Sequence, residues 1–330
     1  MTELESWLNL HQEEPIDPAL PICDPHHHLF DLPDRRYVLE DFLQDVGGGH
    51  NIVRTVFVEY GSRYNMEAPQ EMRPVGETEF VAGMTRQQAC GRYGTIKVAA
   101  GILGYADLTL GAAVAPVLEA HIAASDRLRG IRQICTFDEN HDIIRSTAPR
   151  GMLLNPMFRE GFSCLRDYQL SFDAWLYHTQ LPELVDLAGA YPDIPIILDH
   201  IGGPLRIGPY ASRREEVFGE WKKGIAALSG CSNVLVKLGG LGMTFCGFGW
   251  SERAVPPNSA ELAEAMAPYY LWCIEKFGCD RCMFESNFPV DKRSYSYTVL
   301  WNAFKLITRG FSKDERAALF HDTASRAYRL

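Results

Sequence analysis

With 330 residues, 46% of them hydrophobic and 22% charged, the chain has the make-up of a folded globular protein rather than a disordered one, and its length suits one large α/β unit. A formal net charge of −10 disfavours nucleic acid or an anionic membrane as the main partner, because both polyanions select basic surfaces. No apolar stretch approaches bilayer length, and positions 1–21 are polar and acidic, unlike a secretory leader, so the cytoplasm is the simplest location.

Short apolar runs bounded by turn residues recur in order, separated by helical patterns. They are Ile22–Asp24, Thr55–Tyr60, Ile96–Leu103, Leu128–Ile134, Ser171–Tyr177, Pro195–Gly202, Asn233–Leu241 and Cys282–Pro289. Several are continuous rather than alternating, as expected of parallel strands covered on both faces. Eight such strands with intervening helices predict a single-domain (β/α)8 TIM barrel over 22–330, preceded by an N-terminal extension over 1–21. Asn258 with Glu261, and Ser312 with Glu315, have the spacing of helix N-terminal capping boxes, and Gly278 marks a helix end. The longest irregular segments, 61–77, 136–170, 203–217 and 242–257, all follow strands and belong to the face where barrels build their pockets. Nine cysteines lie scattered without disulfide-framework spacing, and the Cys279–Cys282 pair reads as structural, since no second CxxC accompanies it.

The densest chemical signal is Asp24-Pro25-His26-His27-His28. Period two predicts that Asp24, His26 and His28 share one strand face while His27 points elsewhere. Two neutral imidazoles on one rigid element suit a divalent metal, and equally suit an oxyanion or carboxylate held through N–H donors. Other polar residues fall near the C-terminal ends of the remaining strands: Glu59, Arg132, His178, His200 and Lys237, with Glu285 and Asn287 on one face of strand eight and Ser286 on the other. Taken singly, each also suits a buried ion pair or a hydrogen-bonded core position; several converging at one barrel end cost stability unless they serve a function. Of Asp199 and His200, alternation lets only one face the barrel, and His200 is favoured, with Asp199 left to a cap or an imidazole partner. Phe245, Phe248 and Trp250 are placed either to wall the barrel mouth against a ring-shaped substrate or to fill their own loop.

These segments resemble the amidohydrolase-2 branch of the amidohydrolase superfamily, which contains lactonases acting on pyrone dicarboxylates and sugar acids. The likeness is carried by the 24–28 run, by the Ser171–His178 run, by Leu198-Asp199-His200-Ile201-Gly202-Gly203-Pro204, by Val236-Lys237-Leu238-Gly239-Gly240-Leu241 and by Arg281–Val290, and it extends to Leu319-Phe320-His321. It implies a hydrolase that opens the ring ester of a small carboxylated or hydroxylated lactone. His26, His28, His178, His200, Asn287 and Glu285 are then the catalytic candidates, and Glu59, Arg132, Lys237 and Trp250 the substrate-binding ones.

Where the family reads Ser-Asp-Trp-Pro on strand eight, this chain reads Ser286-Asn287-Phe288-Pro289, and an amide is no substitute for an anionic ligand or base. Arg132-Gln133 on strand four likewise removes the bridging group of a two-metal centre. The resemblance therefore leaves two schemes open. One has no cofactor, with His178 or His200 as general base and Glu285 in reserve. The other has one divalent metal, zinc, on His26, His28 and either His178 or His200. Asp291, four residues beyond Asn287, is expected to cap the helix that follows, with a reach back to Asn287 as the alternative. A metal-dependent decarboxylase of an aromatic or unsaturated acid, and a barrel that binds an organic acid without turning it over, are the alternatives. A homo-oligomer is compatible with the sequence.

Overall fold

The computed structural model describes residues 2–86, 96–140, 143 and 147–330. Eight parallel strands follow one another around a barrel: β1 (Ile22–His27), β2 (Ile52–Val58), β3 (Lys97–Gly104), β4 (Leu128–Ile134), β5 (Ser171–Trp175), β6 (Ile196–Leu198), β7 (Val234–Leu238) and β8 (Cys282–Phe284). All eight fall on the predicted runs. The ring closes just beyond β8, where Asn287 donates its N–H to His26 O at 3.0 Å and His28 donates to Phe288 O at 2.8 Å.

A helix follows each strand: α1 (Leu39–Val46), α2 (Val75–Arg86), α3 (Ala115–Ala124), α4 (Pro156–Cys164), α5 (Leu181–Ala190), α6 (Arg214–Ser229), α7 (Ser259–Phe277) and α8 (Tyr297–Ile307). Their ends are set by local chemistry. Asn258 and Glu261 form the expected reciprocal capping box of α7, which stops at Gly278 with φ 80°. Ser312 and Glu315 do the same for the short helix Lys313–Ala317.

Apolar residues form two layers. Leu29, Phe57, Ile102, Ile131, Phe172, Ile196, Val236 and Phe284 belong to the large cluster between strands and helices. Inside the barrel a smaller cluster of Cys23, Val56, Val58, Leu103, Ile197 and Met283 is joined by Ala324 and Tyr328. The interior is thus packed at the bottom, and its upper part is given over to polar groups. The segment ahead of β1 is fastened to α8, with Asn302 donating to Glu13 and Lys305 donating to the carbonyls of Ile16 and Asp17. Cys279 and Cys282 are both free thiols, the second fully buried. Among the described residues no helix is long and apolar enough to cross a membrane.

Two structural histidines make stability depend on pH. Burial lowers His50 and His121 from the ordinary 6.5 to about 4. Unfolding frees them to protonate near 6.5, so their stabilising contribution is complete above that pH and is lost as pH falls toward 4. Between pH 7.5 and pH 5 the urea unfolding free energy is expected to drop by about 1 kcal/mol or more for each. Constant or rising stability across that interval would contradict the assignment.

Candidate active site

Strand β1 does not alternate regularly. Its register against β2 slips between Asp24, opposite Thr55, and His27, opposite Phe57, so three steps on β1 match two on its neighbour. Pro25, with no N–H to give to the ladder, lies inside this bulge. The consequence is a correction to the predicted faces. Asp24 turns away from the imidazoles, accepting from Ser286 N–H at 2.9 Å and from the Tyr297 hydroxyl at 3.0 Å. His26 and His28 do come together, their Nε2 atoms 3.3 Å apart. His27 points elsewhere, as expected: it meets the Thr55 hydroxyl at 2.8 Å and stacks on Phe42.

Around His26 lies a dense charge network. Glu285 places Oε2 2.9 Å from His26 Nδ1 and Oε1 2.6 Å from His200 Nδ1. Lys237 Nζ lies 2.6 Å from Asp173 Oδ2, 3.0 Å from Asp199 Oδ1 and 3.2 Å from His26 Nδ1. The Tyr328 hydroxyl completes the set by donating to Asp173 Oδ2 at 2.7 Å. All are buried. Burial alone would raise Glu285, but the His200 and His26 imidazoles bring it down to about 2. Burial likewise works against Asp199, which Lys237 and His26 hold well below the usual carboxylate range. For Asp173 burial wins, and it is pushed up to about 7 even with Lys237 against it.

Asp199 is therefore not a bystander. Strand β6 ends at Leu198, and the chain then enters a tight turn with His200 at φ 53° and Ile201 at φ 52°. Period-two alternation no longer applies there, and Asp199 and His200 both reach the network. Space for them is made by Gly239 and Gly240 at the end of β7: a Cβ at Gly239 would sit 2.3 Å from Glu285 Cγ, and one at Gly240 2.5 Å from His200 Cβ.

Other predicted residues are placed differently. Arg132 and Glu59 bind each other, Arg132 Nε donating to the carboxylate and Nη2 to Glu59 O at 2.6 Å, so each already meets the opposite charge within the protein. Asn287, at φ 54°, donates through Nδ2 to Asp291 Oδ1 at 2.9 Å. Asp291 is not the helix cap expected of it, since Ser296 caps α8. It reaches back to Asn287 and also accepts from Gly242 N–H and the Tyr295 hydroxyl. This accounts for the amide on strand eight, because an aspartate at 287 would set two carboxylates face to face in a buried site.

His178 stands apart from the His26 network. Its Nδ1 accepts from Leu205 N–H at 3.3 Å, which leaves the proton on Nε2, and that buried atom has no hydrogen-bond partner among the described residues. Burial lowers its pKa to about 4. Trp250 stacks on Phe248 and lines a side cavity with Arg206 and Thr244, while Phe245 packs on Trp175 and lines the barrel mouth.

The mouth holds a cavity of about 730 Å3 lined by Phe30, Arg35, Tyr60, Trp175, Phe245 and Pro289, among others. Its aromatic floor stands directly on the imidazoles: the Tyr60 ring is 4.9 Å from His28 and the Trp175 ring 4.7 Å from His200. Asp173 and Tyr328 were not among the residues singled out for chemistry, and Asp199 was given only a supporting place. The available signal was a charged residue within an apolar strand, as in Ser171-Phe172-Asp173-Ala174-Trp175.

A polar network at the C-terminal end of a closed eight-stranded barrel places this chain among barrel enzymes of the amidohydrolase type. The amidohydrolase family model matches residues 23–330, and the chain belongs to that family. A protein of Sinorhizobium fredii described as uncharacterized, y4mH, is 34% identical over 94% of this chain and 99% of its own length. An L-fucono-1,5-lactonase of Burkholderia ambifaria is 26% identical over 70% of this chain and 71% of its own. In fold, the chain is similar to a crystal structure of an amidohydrolase from Burkholderia multivorans with bound zinc. The TM-score is 0.70 at 22% identity, covering 94% of this chain and 99% of that one.

Proposed function

We propose that this protein is a lactonase that opens the ring ester of a small organic-acid or sugar-acid lactone beneath the aromatic floor of the barrel mouth. The observation that carries the reading is the convergence of His26, His28, His200 and Glu285 directly below Tyr60 and Trp175. The lactonase relative, similar along most of its length, supports the same chemistry.

Glu285 accepts the Nδ1–H of His200, which leaves Nε2 of His200 as the basic nitrogen. That nitrogen takes a proton from water as the water oxygen adds to the lactone carbonyl carbon. The unpartnered Nε2–H of His178 is a donor for the carbonyl oxygen as it becomes anionic. The ring C–O bond then breaks, and the proton held on His200 passes to the departing alkoxide, giving a hydroxy acid.

A divalent cation fits these residues. His28 Nδ1 faces the Val58 carbonyl, which leaves Nε2 as its basic nitrogen, and His26 Nδ1 lies between Glu285 and the Lys237 ammonium. With Glu285 as the partner of His26, the two Nε2 atoms share a position that suits a metal, and with Lys237 as its partner, one that holds the His26 proton. His26, His200 and Glu285 also bring donor atoms within 4.8 Å of one another. Two carboxylates held ionised, Asp199 and Glu285, and Asp173, raised to about 7, meet one ammonium, and a divalent charge offsets the excess. Zinc would be held by His26 and His28 through Nε2, with Glu285 orienting the His26 and His200 rings from their Nδ1 side, and when bound it would supply a water acidified toward neutral pH.

The test is a lactone panel assayed by acid release, with zinc measured in the same sample before and after chelation. We expect ring opening, about one zinc per chain, and a rate that falls on chelation and returns with zinc. Full activity without stoichiometric metal overturns the zinc arrangement. Carbon dioxide release from a carboxylated ring, with every lactone untouched, overturns the lactonase.

A further inference from the structure

The interior cations are already spent. Arg132 is bound to Glu59, and Lys237 to Asp173 and Asp199, so neither is left to receive an anionic substrate. A cation with no acid partner among the described residues, Arg35, lies higher up, on the two-stranded hairpin Phe30–Asp31/Arg36–Tyr37 that leaves β1 and forms one side of the mouth.

We propose that Arg35 recognises a carboxylate on the substrate, at the end remote from the reacting ester; this rests on the lactonase reading. The Arg35 guanidinium lies 5.3 Å from the centre of the Tyr60 ring and 5.8 Å from that of Phe30, and these two rings stack on each other at 4.3 Å. No carboxylate pairs with it among the described residues. Asp31, the acid of its own hairpin, is bound to Arg63, and Asp41 accepts from Val38 N–H.

Cation–π contact with Tyr60 and Phe30 holds the guanidinium at the mouth while leaving its N–H groups without an acid, which suits capture of a carboxylate. Tyr60 also touches His28, so a single ring separates the guanidinium from the reacting imidazoles. Arg36, Lys292 and Arg293 line the same cavity and outnumber its two carboxylates, Glu5 and Asp41. In a chain of net charge −10 this rim is a local cationic exception, and it draws an anion toward the mouth.

Glucono-1,4-lactone and glucaro-1,4-lactone share a ring and differ in one neutral hydroxymethyl group against one carboxylate. Wild type is expected to favour the glucaro compound. In Arg35→Gln the ratio of the two kcat/KM values should fall by about 10- to 100-fold, mainly through KM, and Arg35→Lys should recover part of it. Glucarate and gluconate binding, followed by calorimetry in the same variants, should show the same ratio without turnover. If either lactone is opened and Arg35→Gln leaves both ratios as they were, the role of Arg35 is overturned. Glucarate bound as tightly by Arg35→Gln as by wild type, or by neither, overturns the role of Arg35 whether or not a lactone is opened, and glucarate held through Arg35 while the whole lactone panel stays closed overturns the lactonase reading alone.

Discussion

Replacing His200 by alanine lowers kcat/KM toward a hydrolysed lactone by about two to four orders of magnitude, the range that a positioned general base contributes. His200 is the imidazole whose tautomer the structure fixes most firmly, through Glu285 at 2.6 Å on one nitrogen. It is also pressed by Trp175 from the cavity side. The loss should fall mostly on kcat, because the imidazole acts on the reacting water and not on the remote parts of the substrate. His28→Ala should lower kcat/KM by at least about tenfold, since it removes one of two imidazoles facing the same position. Circular dichroism and a thermal melt of each variant separate lost chemistry from lost fold. Near-normal kcat/KM in a folded His200→Ala protein would remove the site from contention.

Lys237→Met has the largest effect expected on the protein itself. The side chain is fully buried, and its ammonium lies against Asp173 and Asp199, both equally buried. Deleting one partner of such a group leaves carboxylates without compensation, a loss of about 3–5 kcal/mol. A protein of this size then melts several degrees lower or fails to accumulate. The double variant Lys237→Met with Asp173→Asn removes charge of both signs and should recover part of the stability. A single variant as stable as wild type in urea would show that the ammonium is not what holds these carboxylates in place.

The outline of the barrel was legible because parallel strands covered on both faces leave continuous apolar runs, and all eight were found that way. The convergence of His26 and His28 was legible too, from alternation. What alternation could not show was where it fails. The bulge at Pro25 sends Asp24 to the helix side, and the left-handed turn at His200 and Ile201 brings Asp199 inward beside its neighbour. Both departures occur where β1 and β6 approach the site, and neither leaves a periodic trace. Pairings across the barrel were equally hidden: Glu59, just beyond β2, and Arg132 on β4 each suited a substrate contact or one half of a buried ion pair, and only the closed ring shows that they pair with each other. Asn287 looked like a lost acid. In place it is the donor that Asp291 requires.

The aromatic floor has a further consequence. Tyr60 and Trp175 separate the buried charges beneath from the hairpin and loops above, and no residue of the ion network lines the mouth cavity. Selection acting on the hairpin or on residues 243–245 can change which molecule enters without touching the ion network around Lys237. The molecule is in that sense built in two storeys, an engine room that tolerates few alterations and a doorway that can be refitted for a new substrate.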